Sequence, residues 1–203
     1  MISVPIYVMI RPHCKDFYYD DSAFETMKTT LKTLKDFGAD GFVFGVLKKI
    51  ESSDDLHARW IDLDRNKSLV QLAGGRPCTF HRAFDCIPES CWNIALSDLT
   101  ECGFASILTS GGPSGDKAID CVDKLSDLVR RTSDVSRPNL RTGHQFPEII
   151  IGGGVRDTNI QILWQKTHAQ AFHSSSLIPG SGFVASDDVK RLRDSLKVAM
   201  SSE

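Results

Sequence analysis

Several residues that could do chemistry stand directly after apolar segments of the sequence. They are arginines, histidines, an aspartate, serines and a run of glycines: Arg11, His81, Arg82, Asp85, His173, Ser110, Ser174, Ser175, Gly152, Gly153 and Gly154. Arginine binds carboxylates and phosphates, and histidine exchanges protons near neutral pH. This set favours acid–base chemistry on a small anionic substrate, with Arg11 and Arg82 holding the anion and His81 or His173 moving the proton.

Some of these residues also have a purely structural interpretation. Arg11 could form an ion pair at the end of a strand. His81 lies in phase with Thr79 under the two-residue period of a strand, so both side chains face one side, in the core or in a site. Asp85 is close to His81 in sequence and could raise its pKa or fix its tautomer.

The run Gly152-Gly153-Gly154 would let backbone amides approach an anion. Glycines also serve tight turns, so the run alone is a weak signal. In β/α barrels the loops after the last two strands often form a phosphate site, and Ser174 and Ser175 follow the next apolar segment. Ser110, which precedes Gly111-Gly112, fits either an anion contact or a plain turn.

His13 and Cys14 place an imidazole beside a thiol, which makes them candidate metal ligands. Two ligands do not by themselves make a metal site. The six cysteines are scattered, with no Cys-x-x-Cys pair and no zinc-like spacing. Thiols without a disulfide pattern are typical of a reducing compartment, the cytosol or the nucleus. The carboxylates of Asp62 and Asp64 are expected to lie in a loop or to cap a helix.

Apolar segments rich in β-branched and aromatic residues alternate with stretches of helical periodicity. The predicted strands are Val4–Ile10, Phe42–Leu47, Cys78–Phe80, Ala105–Leu108, Glu148–Ile151 and Ala171–His173. The polar stretch Thr132–Phe146 predicts a surface loop. Strict alternation predicts a parallel sheet with flanking helices in a single α/β domain over residues 1–203. The pattern alone leaves a β/α barrel and a doubly wound open sheet equally open.

The composition argues against several classes of protein. The chain has 203 residues, of which 41% are hydrophobic and 25% charged, as in an ordinary globular domain. A formal net charge of −2 gives no electrostatic reason to expect nucleic acid or an anionic membrane as a partner. No apolar run approaches the roughly 18 residues of a membrane helix. The N-terminal segment predicts a strand rather than a secretion signal.

Short blocks of residues give the sequence a more specific identity. They are Ile10-Arg11-Pro12, Asp16-Phe17-x-Tyr19, Gly38-Ala39-Asp40-Gly41-Phe42-Val43-Phe44-Gly45, Thr79-Phe80-His81-Arg82-Ala83-Phe84-Asp85, Leu108-Thr109-Ser110-Gly111, Gly152-Gly153-Gly154 and Phe172-His173-x-Ser175. In this order they resemble the signature blocks of the CutC copper-homeostasis family. The resemblance extends from Val4 to about Ser176.

The resemblance implies a TIM-type β/α barrel of which this chain holds about six of the eight parallel strands. It also implies a role in copper tolerance and the binding of copper as Cu(I). The resemblance further implies a cytosolic location, which in animals is also nuclear, and assembly into homo-oligomers. Family members begin with two further β/α units, which carry a glutamate and cysteines at the ends of their first two strands. Without those units, the chain is expected to be a partial gene model or splice form, or to pair its strand edges in an oligomer.

The chain also departs from the family pattern after the first strand. The family has Arg-Gly-Gly between the proline and Asp-Phe, where this chain has His13-Cys14-Lys15. Fewer glycines reduce the freedom for positive φ, so the loop is expected to take another path. Ile151 replaces the usual proline before the three glycines.

Three functions therefore remain open at the level of the sequence. The first is copper homeostasis through the binding or handling of Cu(I). The second is a metal-independent barrel enzyme, or a relic of one, acting on a small anionic (phosphorylated) substrate. The third is a non-catalytic scaffold in an oligomer. Thiolates would favour the first function, and a rim rich in arginine, histidine and glycine favours the second.

Overall fold

A computed structural model describes residues 4–50, 57–113, 115–133, 145–176 and 182–201. Strands and helices alternate in these ranges. The strands are β1 (Tyr7–Met9), β2 (Gly41–Phe44), β3 (Cys78–Phe80), β4 (Ser106–Thr109), β5 (Glu148–Ile151) and β6 (Ala171–Phe172). The helices are α1 (Asp21–Asp36), α2 (Leu63–Ala73), α3 (Trp92–Cys102), α4 (Val122–Ser133), α5 (Ile160–Thr167) and α6 (Ser186–Met200). Short 3₁₀ turns cover Arg82–Cys86, Glu89–Cys91 and Ala118–Cys121.

The strands form a six-stranded sheet in the order β1-β2-β3-β4-β5-β6. Sequential order with a helix between consecutive strands is the arrangement of repeated right-handed β/α crossovers. The described residues divide into two compact units: one up to Ile107 together with residues 145–147, the other from Leu108 to 133 and from Glu148 on. The predicted α/β architecture is confirmed.

In the first unit, parallel ladders join β1 to β2, β2 to β3, and β3 to β4. Their register places Val43 opposite Thr79, and Thr79 opposite Ser106. The hydroxyls of Thr79 and Ser106 are buried and 2.8 Å apart, so this polar pair satisfies itself across two strands.

In the second unit, β5 and β6 are parallel, with Ile151 opposite Phe172. The ladder continues past the strand ends, because the Gly152 amide donates to the Thr109 carbonyl and the His173 amide donates to the Ile151 carbonyl, both at 2.8 Å. These bonds use backbone groups of two predicted site residues for sheet pairing.

Helix starts follow the capping chemistry that the sequence predicts. The Asp62 side chain accepts a hydrogen bond from the Arg65 amide at 3.1 Å and caps α2, as expected for this carboxylate. Asp20 caps α1 in the same way, accepting from the Ala23 amide at 2.8 Å. Helix α2 ends at Gly74, whose φ of 65° is in the left-handed region.

The core of the first unit is aromatic. Phe80 of β3 is fully buried and meets Phe104 edge to face, with ring centroids 5.3 Å apart. Phe44 of β2 packs on the same Phe104 ring at 5.2 Å. All residues of β3 and β4 are buried, as expected for interior parallel strands.

Strand boundaries differ most from the prediction at β1. The predicted strand Val4–Ile10 is reduced to Tyr7–Met9. The Ile6 amide donates to the Asp40 carboxylate at 2.8 Å, while the Ile6 carbonyl still accepts from the backbone amide of Gly41, so a side chain replaces only part of the ladder there. Most of the predicted loop Thr132–Phe146 lies outside the described residues. No helix in the described ranges is long and apolar enough to cross a lipid bilayer.

Candidate functional site

In the first unit, the loop after β1 brings Arg11, Phe17 and His81 together through stacking contacts. The Arg11 guanidinium lies over the Phe17 ring, 4.4 Å from its centroid. The other contact of Phe17 is with the His81 ring, at a centroid distance of 4.8 Å. Arg11 also donates to the Cys14 carbonyl at 3.1 Å. The loop thus holds the guanidinium in one place, while its side chain remains exposed.

Arg11 has no carboxylate partner among the described residues. The ion pairs of the described chain include Arg82, Arg65 and Arg59 but not Arg11. A fixed guanidinium with an uncompensated charge is well suited to bind an anion from solution.

His81 is buried with only 2% of its surface exposed. Its Nδ1 accepts a hydrogen bond from the Ala83 amide at 3.3 Å, which places the ring proton on Nε2. Nε2 is buried and has no hydrogen-bond partner in the described part of the chain. Burial, and secondarily the charge of Arg11, lowers the pKa of His81 to about 4. The imidazole is therefore neutral at physiological pH and presents one unused N–H donor.

The expectation that Asp85 raises the pKa of His81 is wrong. The Asp85 carboxylate instead accepts from Arg82 Nε at 2.6 Å, within the 3₁₀ turn that follows β3. Asp85 is buried while Arg82 is about one-third exposed. The tautomer of His81 is fixed by the Ala83 amide rather than by this carboxylate. Arg82 and Asp85 therefore neutralise each other beside the histidine.

Gly45 provides the space that His81 occupies. A Cβ atom at this position would lie 2.9 Å from His81 Nδ1 and 2.8 Å from the Phe80 ring. Both neighbours are buried, so neither can move away easily. The glycine of the predicted Val43-Phe44-Gly45 block is thus required by the close approach of β2 and β3.

The glycine turn of the second unit serves backbone geometry first. Gly153 and Gly154 have φ values of 97° and 75°, which favour glycine. The Gly153 carbonyl accepts from the Ala118 amide at 2.9 Å. A Cβ on Gly152 would lie 2.6 Å from the Leu108 side chain, so this glycine permits close strand packing. The turn does not run directly into a helix, because α5 begins only at Ile160.

Ser174 is held by neighbours of this turn. Its hydroxyl donates to the Val155 carbonyl at 2.7 Å and accepts from Arg156 at 3.0 Å. Ser175 is exposed. His173 is exposed as a whole residue, but its ring is partly buried, and this burial lowers the pKa of His173. The second unit thus brings an arginine to the predicted serine.

The hydroxyl of Ser110 turns inward. Ser110 is fully buried, and its hydroxyl donates to the Gly112 carbonyl at 3.3 Å. Gly111 has a φ of 78°, and its amide donates to Thr109 Oγ1 at 2.9 Å. These contacts match the plain turn, which was one of the two interpretations of this segment.

The thiols of the described chain do not fit a Cu(I) site. Cu(I) prefers several thiolates that converge on one point. Within the described ranges, no three histidine, cysteine or acidic side chains cluster as metal ligands. Burial raises the pKa of Cys78 and of Cys102 to about 12, which keeps both protonated. His13 packs against Tyr19, and Cys14 and Cys86 are the exposed thiols.

Three residues of these sites escaped sequence reasoning. The Phe17 ring contacts both Arg11 and His81, and its place in the Asp16-Phe17 block was the signal that could have identified it. Cys86 directly follows Asp85. Burial raises the pKa of its thiol, and the nearby Arg11 guanidinium acts in the opposite direction. Arg156 follows the glycine run by two positions, and this spacing could have identified it.

Comparison with known proteins identifies relatives along most of the chain. The model of the CutC family matches residues 1–178. A mouse protein named copper homeostasis protein cutC homolog is 35% identical over 175 residues, which are 86% of this chain and 56% of that protein. The Drosophila melanogaster homologue is 31% identical, covering 91% of this chain and 63% of its own length. The chain thus spans somewhat more than half of these relatives.

Solved structures agree with the fold. A CutC copper homeostasis protein from Streptococcus agalactiae superposes with a TM-score of 0.68 at 28% identity, covering 84% of this chain and 72% of that one. A protein described as QR15, an aldolase, gives a TM-score of 0.59 at 15% identity, covering 94% of this chain and 75% of that one. The second similarity concerns the fold alone. Together they confirm the predicted TIM-type β/α class, of which the described residues hold six strands.

Proposed function

Since this chain belongs to the CutC family, we propose that it acts in copper homeostasis and that residues 4–201 contribute a site for a small anion. The name of the mouse and Drosophila relatives supports the cellular role. The chemistry of the described residues supports the anion.

One observation carries the proposal: the Phe17 ring contacts both an uncompensated guanidinium and a buried imidazole with an unused N–H. Arg11 is fixed by the Cys14 carbonyl and the Phe17 ring. A buried donor without a partner costs about 1–3 kcal/mol, and a bound acceptor would remove that cost. His81 Nε2 is such a donor among the described residues. An anion bound to Arg11 would also satisfy His81 Nε2 once the Phe17 ring turns aside.

The state of His81 favours hydrogen bonding over proton transfer. With a pKa of about 4, the ring is a weak base at neutral pH. Its Nδ1 is already engaged by the Ala83 amide. The ring can therefore donate from Nε2 to an oxyanion without carrying a charge itself. Phe17 packs against the imidazole, so its ring must turn aside for direct contact.

Replacing Arg11 with methionine tests the anion site. We expect the R11M variant to bind inorganic phosphate at least about ten-fold more weakly than the wild type, because a charge-assisted hydrogen bond contributes about 1.5–3 kcal/mol. Isothermal titration calorimetry at fixed ionic strength measures the difference. Methionine keeps the apolar contact with Phe17, so the fold should be retained.

Arg193 supplies the matched control. It is an exposed arginine of α6, and its partner is the adjacent Asp194. Arg193→Met removes the same charge from the chain and should leave phosphate affinity unchanged. Equal losses in R11M and R193M would show only a net-charge effect, and an unchanged affinity in R11M would overturn the proposal.

For copper, we expect the chain alone to fail to retain Cu(I) against a strong chelator under anaerobic conditions. The reason is that the described thiols are dispersed and several are held protonated by burial. Competition measured by the absorbance of the chelator–Cu(I) complex checks this. Retention by the wild type that is lost in Cys14→Ser or Cys86→Ser would contradict the expectation and assign Cu(I) binding to the exposed thiols.

Cytosolic or nuclear location and self-association, both implied by the family resemblance, are part of the same proposal. Enzymatic turnover at the Arg11 site and a purely scaffolding role remain the alternatives. The calorimetry above separates the scaffold, which would not bind phosphate at Arg11, from the proposed function and the enzyme, which would.

A further inference from the structure

A cavity of about 480 Å³ lies in the first unit between the loops that follow β1 and β2. The first turns of α1 and α2 form the rest of its lining, through Asp20 and Asp62. This volume lies within the range typical of small-molecule pockets. Arg11 and His81 are not among its lining residues, so it is a feature separate from the site described above.

One wall of the cavity is built from rings. His13, Tyr18 and Tyr19 line it, and the rings of His13 and Tyr19 lie 4.8 Å apart. Burial raises the pKa of both tyrosines, so their hydroxyls are protonated at neutral pH and can donate. Such a wall can contact the face or edge of a planar ligand.

Two polar atoms of this wall are buried without a hydrogen bond inside the described chain. They are His13 Nδ1 and the hydroxyl of Tyr19. Tyr19 is only 5% exposed. The Arg11 guanidinium lies beside this hydroxyl and lowers its pKa, against the larger effect of burial, which raises the pKa. Buried groups of this kind are normally satisfied, and these two become available to a ligand only if the wall moves.

The charged lining leaves an excess of cations. Asp20 and Asp62 accept hydrogen bonds from the first turns of α1 and α2. Asp62 also lies 3.7 Å from Arg65 Nε. Lys48 and Lys49 line the cavity with exposed side chains. Because the carboxylates are engaged by caps and by Arg65, the lysines are the groups available to a ligand.

From these features we infer that the cavity binds a small anion that carries a planar ring, with the anionic group at Lys48 and Lys49 and the ring against Tyr18 and His13. The inference does not depend on anion binding at Arg11.

Calorimetry with phenyl phosphate, inorganic phosphate and phenol tests the inference on the full chain. We expect phenyl phosphate to bind at least about ten-fold more tightly than either fragment, because only it uses both the rings and the lysines. The double variant Lys48→Met/Lys49→Met should lose about ten-fold in affinity for phenyl phosphate. Tyr18→Leu should bring phenyl phosphate down towards the affinity of inorganic phosphate.

Lys190→Met/Lys197→Met is the matched control, since it also removes two positive charges, from exposed lysines of α6 that lie outside the cavity. The comparison is made in the Arg11→Met background, which removes the phosphate site proposed above; there phenyl phosphate should still bind at least about ten-fold more tightly than inorganic phosphate, so failure at Arg11 and failure at the cavity are distinguishable. Phenyl phosphate that binds no better than inorganic phosphate, or equally well to the wild type and the double-lysine variant, overturns the inference. Thermal unfolding of each variant verifies that it is folded.

Discussion

Replacing Phe80 with alanine is expected to lower the free energy of unfolding by about 3–5 kcal/mol. Phe80 has 0% of its surface exposed and packs against Phe104 at 5.3 Å. Its ring also lies 6.0 Å from the His81 ring. Truncation therefore removes a large apolar contact and leaves a cavity beside the candidate site. Urea denaturation followed by circular dichroism measures the loss.

Phe37 is the matched control for this substitution. It follows the last turn of α1 and is 82% exposed. Phe37→Ala should change the unfolding free energy by no more than about 0.5 kcal/mol, as exposed positions usually do. Similar losses at Phe37 and Phe80 would contradict the assignment of Phe80 to the core.

Acidification is expected to destabilise the fold through His81. The ordinary pKa of the imidazole is 6.5, and burial lowers it to about 4 in the folded chain. Between these pH values the unfolded state binds more protons than the folded state, so this stabilisation is complete above pH 6.5 and is lost as the pH falls towards 4. The full effect corresponds to about 3 kcal/mol. Urea midpoints at a series of pH values measure it.

The variant His81→Asn isolates this contribution. Asparagine can accept the hydrogen bond from the Ala83 amide, which His81 accepts at 3.3 Å, but it does not titrate. Its unfolding free energy should therefore fall less steeply with acid than that of the wild type. If both proteins show the same slope between pH 6.5 and 4, His81 is not the titrating group.

Local patterns predicted the order of the elements well. Cys78–Phe80 and Glu148–Ile151 were predicted with the bounds that the structure shows. Every residue of β3 is buried, and β5 is an apolar run that begins at the exposed Glu148. At β1 the prediction was too long, and exposure does not mark the boundary, because Tyr7 and Met9 belong to the ladder and are about as exposed as Ile6. Apolar residues at the edge of a sheet follow the strand pattern without belonging to the ladder.

The candidate sites were predicted as sets of residues rather than as contacts. Sequence proximity suggested that Asp85 acts on His81, but a 3₁₀ turn directs the carboxylate to Arg82. Phe17 was named only within a family block, although it touches both Arg11 and His81. The contact between Phe17 and His81 joins segments that are far apart in the chain, and no local periodicity predicts it.

The sequence by itself thus determined the β/α alternation, the family and the placement of Arg11 and His81 at strand ends. Composition, strand periodicity and motif order are local properties, and they are legible without coordinates. Only the tertiary structure decided that His81 is neutral with a free Nε2 donor, because its burial depends on Phe17 and on the space left by Gly45. It also decided that Arg11, unlike Arg82, has no carboxylate partner among the described residues, because ion pairing depends on distances that sequence order does not set.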